Sequence, residues 1–174
     1  MRKLLVVVDY QKDFVDGSLG FEGALKIENN ILNKIHEFKL NKDDIVFTFD
    51  THLDDYMDTL EGSKLPVPHC IKGSEGHKLF GKVADELEGC LRIEKETFGS
   101  KELANYLGNN KYDEIVLVGV VTNICVISNA VVAKTMQPNT NIVVDASCCA
   151  SNDLVLEQKA YDILENLHIK VVNR

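Results

Sequence analysis

Asp50, His52, Glu61 and His69 crowd into the stretch FDTHLDDYMDTLEGSKLPVPHC. Imidazole nitrogens together with carboxylate oxygens make a donor set suited to Zn, Fe or Mn. The apolar run Ile45 to Phe49 leads into this stretch and reads as a buried strand, so a metal held there would stand at a strand's end. Asp9, Lys95 and Cys125 also follow apolar runs. Asp9 comes after five consecutive apolar residues, a position where a carboxylate needs a partner; Lys95 is the obvious counter-ion. Cys125 lies in GVVTNICV, where Gly119 permits a tight turn and Thr122 offers an N-cap. The thiol would then sit in the first turn of a helix, whose dipole and free amides favour the thiolate and suit a developing oxyanion. Each residue also has a plainer reading: Cys125 as a core cysteine, Lys95 as a solvated surface lysine, Asp9 and Asp50 as strand terminators. Cys70, beside His69, is a rival thiol. A nucleophile, an ammonium, a carboxylate and metal ligands at the ends of successive strands together favour the chemical reading.

The elements that would position these residues alternate along the chain. Strands are expected at Lys3–Val8, 45–49, 90–93, 115–120, 142–144 and 169–172, each a short apolar run. Helical periodicity marks 24–40, with Leu25, Ile31, Leu32, Ile35 and Phe38 on one face, and 75–87, with Leu79, Phe80, Val83 and Leu87. Further helices are expected over 101–107, ended by Gly108 and two asparagines, over 123–136, with Pro138 just beyond, and over 152–167. Repeated β-α units with uniformly apolar strands predict a three-layer α/β/α fold, Rossmann-like, around a mostly parallel six-stranded sheet. In such sheets ligands bind beyond the carboxyl ends of the strands. By this reading Asp9, Asp50, Lys95, Cys125 and Asp145 follow strands one to five. The long irregular stretch 51–74 holds two of the three prolines, and a loop of that length is usually functional.

Composition narrows the class. Residues 1–174 suit one domain with a sizeable core, and 45% apolar with 26% charged residues is ordinary for a globular protein. A net charge of −8 argues against nucleic acid or an anionic membrane as partner. Arg2 and Lys3 precede an apolar run, but it ends at Asp9 and is too short for a signal peptide, so a cytoplasmic protein is expected. Five cysteines without a C-x-x-C pair read as reduced thiols rather than a disulfide framework.

Several of these segments fall in a recognisable order: D-Y-Q-K-D-F at Asp9 to Phe14, D-T-H at Asp50 to His52, P-H-C at Pro68 to Cys70, the Lys95 region, and G-V-V-T-N-I-C-V at Gly119 to Val126. With them the chain resembles the isochorismatase-like cysteine hydrolases, and within these the metal-binding nicotinamidase branch. The resemblance implies a hydrolase of linear amide C–N bonds in pyridine nucleotide salvage, working through a thioester. It implies a catalytic triad of Asp9, Lys95 and Cys125, a divalent ion (Zn, or Fe or Mn) on Asp50, His52 and His69 with Glu61 as an added carboxylate, and a homo-oligomer, dimer or higher. It also implies a cis peptide before Val121, with the Val121 and Cys125 amides forming the oxyanion hole. Phe14, Phe98 and Val121 are the expected substrate contacts. Members commonly set a tryptophan against the substrate ring; this chain has none, leaving Phe14, Phe98 or Tyr56 to substitute. Asn123 stands where an aspartate is frequent. Alternative readings are another small-amide or N-carbamoyl hydrolase, a vinyl-ether hydrolase without a cysteine nucleophile, and a metal- or redox-responsive binding protein.

Overall fold

Each of the six apolar runs forms a strand, and the computed structural model, which describes residues 1–174, joins them into one sheet. The strands are β1 (Lys3–Val8), β2 (Asp44–Asp50), β3 (Leu91–Lys95), β4 (Glu114–Val120), β5 (Asn141–Ala150) and β6 (Lys170–Val172). Their order is β3-β2-β1-β4-β5-β6, and every neighbouring pair is parallel. The helices are α1 (Lys12–Val15), α2 (Glu22–Lys26), α3 (Glu28–Asn41), α4 (Leu60–Lys64), α5 (Gly81–Glu86), α6 (Lys101–Asn109), α7 (Ile127–Met136) and α8 (Leu154–Asn166). A 3₁₀ turn at Tyr56–Asp58 and a π turn at Thr122–Val126 complete the set.

Alternation along the strands makes the layers. Leu5 and Val7 of β1 face a cluster with Ile31, Ile35 and Phe38 of α3 and Val83 of α5. Leu4, Val6 and Val8 face the opposite cluster, with Leu103, Ala130 and Leu164 of α6, α7 and α8. Both faces are therefore sealed, and each fully buried aliphatic side chain contributes about 1.5–3 kcal/mol. Helix ends follow local chemistry: Ser100 accepts from the Leu103 amide at 3.0 Å, and Asp153 from those of Val155 and Leu156 at 3.0 and 2.9 Å. At Gly119, φ is +119°, and a Cβ would fall 2.1 Å from the Val8 carbonyl oxygen, so only glycine lets β4 lie this close to β1.

The sheet, expected to be mostly parallel, is wholly so. The fold departs from the sequence reading in four places. The helix expected over 24–40 is two helices, broken at Ile27. Of 75–87 only 81–86 is helical, because residues 76–80 pair with the chain after β1: Lys12 donates to the Lys78 carbonyl and Phe80 to that of Tyr10. β5 runs on to Ala150 through a bulge, where its register with β4 shifts. Asp145 therefore does not follow the strand. It sits buried in the bulge, 3.2 Å from the Lys34 ammonium and accepting from Ser147 Oγ at 2.7 Å. Finally, Thr122 caps nothing: the turn after β4 is π rather than α, and the Thr122 hydroxyl donates to Glu157 at 2.8 Å.

Candidate active site

Because the strands are parallel, their carboxyl ends share one edge of the sheet. Asp9 lies just past β1, Asp50 and Lys95 close β2 and β3 as register partners, and Cys125 lies in the π turn after β4. Asp9 has φ +47°, uncommon for a non-glycine residue. Lys95 is the hub. Its Nζ lies 2.7 Å from Asp9 Oδ2 and 2.8 Å from Asp50 Oδ1, donates to the Thr97 carbonyl at 2.9 Å, and reaches Cys125 Sγ at 3.6 Å. The other Asp9 oxygen accepts from the Thr48 hydroxyl at 2.7 Å. Asp9, Lys95 and Cys125 are 0%, 4% and 5% exposed.

Burial at this depth sets the electrostatics. It pushes the Asp9 carboxyl above the usual carboxylate range, with Lys95 pulling the other way. It pushes the Cys125 thiol well up, against the pull of Lys95 and with help from Asp9 and Asp50. Burial disfavours the Lys95 charge, but Asp9, Cys125 and Asp50 outweigh it and hold the ammonium firmly protonated. The resting thiol thus keeps its proton beside a carboxylate more basic than usual and a fixed cation that favours the thiolate. Cys70, the rival thiol, is fully buried, raised by that burial and by surrounding carboxylates, and outside the cavity described below.

One carboxylate links this cluster to the candidate metal set. Asp50 gives Oδ1 to Lys95, while Oδ2 lies 3.1 Å from His52 Nε2 and 3.6 Å from His69 Nε2. The ligand atoms of Asp50, His52 and His69 all lie within 4.8 Å of one another, and all three residues are buried. His69 Nδ1 lies 2.8 Å from the Val67 carbonyl, which assigns the proton to Nδ1 and leaves the Nε2 lone pair facing the set. Three inward-facing donors of mixed nitrogen and oxygen type fit a divalent ion. Glu61 Oε1 stands at the margin, 3.7 and 3.8 Å from the two imidazoles. Tyr56 stacks edge-on against both histidine rings and donates to the Leu65 carbonyl. It buttresses the ligands and, contrary to one sequence expectation, is not a wall of the cavity.

A cavity of about 170 Å³ joins the two clusters. Cys125, Val121, Asp50, Glu61 and His69 all line it, and Phe14 and Phe98 add aromatic rings to the lining. Phe14 is buried; Phe98 is 44% exposed, at the mouth. The Val120–Val121 peptide is cis. A larger groove of about 390 Å³ runs along β3 and α6, but it contains none of the reactive residues.

Three supporting residues gave no signal of their role. Gln11, within the quoted D-Y-Q-K-D-F segment, is fully buried and clamps Asp50 from both backbone sides, accepting from its amide at 2.7 Å and donating to its carbonyl at 2.9 Å. Thr48 orients Asp9, and Asn129 ties Cys125 to the loop after β3.

A wholly parallel α/β sheet carrying a thiol, an ammonium and a carboxylate at adjoining strand ends, beside a two-histidine–carboxylate set, defines a narrow class. The chain belongs to the isochorismatase family: the isochorismatase domain matches residues 3–173. It is 36% identical over 144 residues to the uncharacterized isochorismatase family protein PncA of Bacillus subtilis, covering 75% of this chain and 78% of the relative. The crystal structure of nicotinamidase PncA from Bacillus subtilis superposes with a TM-score of 0.87 at 30% identity, over 98% of this chain and 99% of that one. The pyrazinamidase/nicotinamidase from Streptococcus mutans gives a TM-score of 0.87 at 32% identity, with the same coverage. No helix is long and apolar enough to cross a membrane.

Proposed function

We propose that the protein is a metal-dependent cysteine amidohydrolase that converts nicotinamide and water to nicotinate and ammonia. The observation that carries this reading is the Lys95 ammonium, in reach of Asp9, Asp50 and Cys125 at once. Asp9 takes the proton of Cys125, and Lys95 stabilises the thiolate that results. The sulfur attacks the amide carbonyl carbon. The Val121 and Cys125 amides hold the oxyanion, a contribution of roughly 3–4 kcal/mol per donor in comparable sites. As the C–N bond breaks, Asp9 returns the proton to the leaving nitrogen and ammonia departs. Water then attacks the thioester with Asp9 again as base, the C–S bond breaks, and the thiol recovers its proton.

Asp50, His52 and His69 would hold the divalent ion, Zn or else Fe or Mn, with Glu61 as a further carboxylate. When bound, that ion supplies a Lewis acid able to anchor a ring nitrogen or acidify a water. Phe14, Phe98 and Val121 would flank a planar ring, and a cavity of about 170 Å³ suits one ring with a small amide. Residues 1–174 would act as one cytoplasmic domain in a homo-oligomer.

The test is ammonia release from nicotinamide, pyrazinamide and carbamoylated amines, with and without chelator. Nicotinamide should be turned over, and Cys125→Ala should lower kcat by at least about a thousandfold with an unchanged circular dichroism spectrum. Undiminished turnover in that variant rejects the mechanism. Preference for carbamoylated amines moves the protein to the N-carbamoyl hydrolases, and metal binding without any turnover marks a binding protein.

A further inference from the structure

We propose that Asn129 is a positioning residue that sets the spacing between the Lys95 ammonium and the Cys125 thiol by tying the nucleophile's turn to the loop after β3. The inference rests on the amidohydrolase reading for its meaning, but not for its test.

Asn129 lies on α7, one turn beyond Cys125, and is completely buried. It does not border the cavity, so it cannot touch substrate. Its amide is nonetheless fully engaged. Nδ2 donates to the Cys125 carbonyl at 2.8 Å and to the Phe98 carbonyl at 3.0 Å, while Oδ1 accepts from the Ser100 amide at 3.0 Å. The first bond grips the backbone of the nucleophile. The other two grip 98–100, the segment that follows Thr97, whose carbonyl holds the Lys95 ammonium, and that includes Phe98, a wall of the cavity. Lys95 and Cys125 come from different strand ends, and their 3.6 Å separation is bridged from below by this one side chain. A buried amide with every polar atom paired is costly to disturb, and a displacement of about 1 Å at a reacting pair lowers rates by up to about a hundredfold.

The plain alternative is that Asn129 merely satisfies buried backbone groups. Gln137, just past the same helix, provides the matched control. It too is buried, donates to the Leu107 and Asn110 carbonyls at 2.9 and 2.6 Å, and accepts from the Tyr112 amide at 3.1 Å, far from the site. The experiment compares Asn129→Ala, Asn129→Ser and Gln137→Ala with the native chain. It reads melting temperature, kcat and KM for nicotinamide, and the rate of Cys125 carbamidomethylation by iodoacetamide at fixed pH, followed by mass spectrometry of the Cys125 peptide. Asn129→Ser adds no buried charge and keeps a hydroxyl able to donate to the Cys125 carbonyl four residues back while losing both bonds to 98–100, which guards against a simple failure of Asn129→Ala to fold.

Both Asn129 variants should slow alkylation about tenfold and lower kcat by at least as much, with a smaller change in KM. Gln137→Ala should lower the melting temperature while leaving alkylation and kcat within about twofold. Native alkylation rates in the Asn129 variants, or equal slowing in Gln137→Ala at a matched loss of melting temperature, overturn the proposal. Absence of amide turnover in the native chain would reject the amidohydrolase reading, and the alkylation rates would still decide the role of Asn129.

Discussion

The Lys95 ammonium sits between two carboxylates and a thiol, and all four groups are almost sealed from water. Charges this deep are tolerable only while matched. Lys95→Met removes the cation that Asp9 and Asp50 share, leaving Asp9 with no counter-ion and Asp50 with the His52 and His69 imidazoles alone. Stability at neutral pH should fall by about 3–5 kcal/mol, measured as the shift in urea-unfolding free energy; a loss below about 1 kcal/mol would show that the ion pairs are not formed as described. The chemically rare residues of this cluster were legible in the sequence, because a carboxylate or lysine at the end of an apolar run demands an explanation. Gln11, Thr48 and Asn129 were not. Amides and hydroxyls are common everywhere along the chain, and theirs acquire roles only through partners far away in sequence.

Strands were legible to within a residue or two wherever the apolar run ended cleanly, as at Val8 and Val120. β5 was cut short in the reading because Asp145 and Ser147 look like a strand's end. The bulge absorbs them by giving Asp145 its own partners. That arrangement has a pH signature. Burial opposes the Asp145 charge, but hydrogen bonds from Asn173, Ser147 and Lys34 prevail and hold the carboxyl below its ordinary range. The folded carboxyl therefore titrates below the unfolded one, near 3.9. Its stabilisation is present above about pH 4 and is lost as pH falls through the lower folded value. Asp145→Asn should cost about 1–3 kcal/mol at pH 7, and the gap from the native chain should narrow below about pH 4. Urea midpoints at pH 7 and pH 3 check this, and a gap independent of pH would reject it. The helix misread over 75–80 has a related cause: local periodicity there loses to backbone pairing with Tyr10 and Lys12.

At the scale of the molecule, the long segment after β2 is fastened at both ends. His52 and Ile71 form a parallel bridge, and His69 faces Asp50 across the same gap. An ion held by Asp50, His52 and His69 would therefore close a chain loop present only in the folded state, and its binding energy would add to global stability. Saturating Zn, Fe(II) or Mn should raise the melting temperature, with about 4 kcal/mol of stabilisation at a thousandfold excess over Kd. Chelator should reverse the rise and His69→Ala should abolish it; a melting temperature indifferent to all three ions would remove the metal from the site.

The strand order also carries a consequence in time. β1 lies between β2 and β4, yet β2 starts at residue 44 and β4 only at residue 114. Growing from amino to carboxyl end, a chain has β1, β2 and β3 in hand by residue 95, and with them Asp9, Asp50 and Lys95. The two carboxylates and their cation can find one another before the Cys125 thiol exists. Cys125 arrives with β4, delivered as that strand zips onto the open side of β1, into a setting where the ammonium already faces both carboxylates.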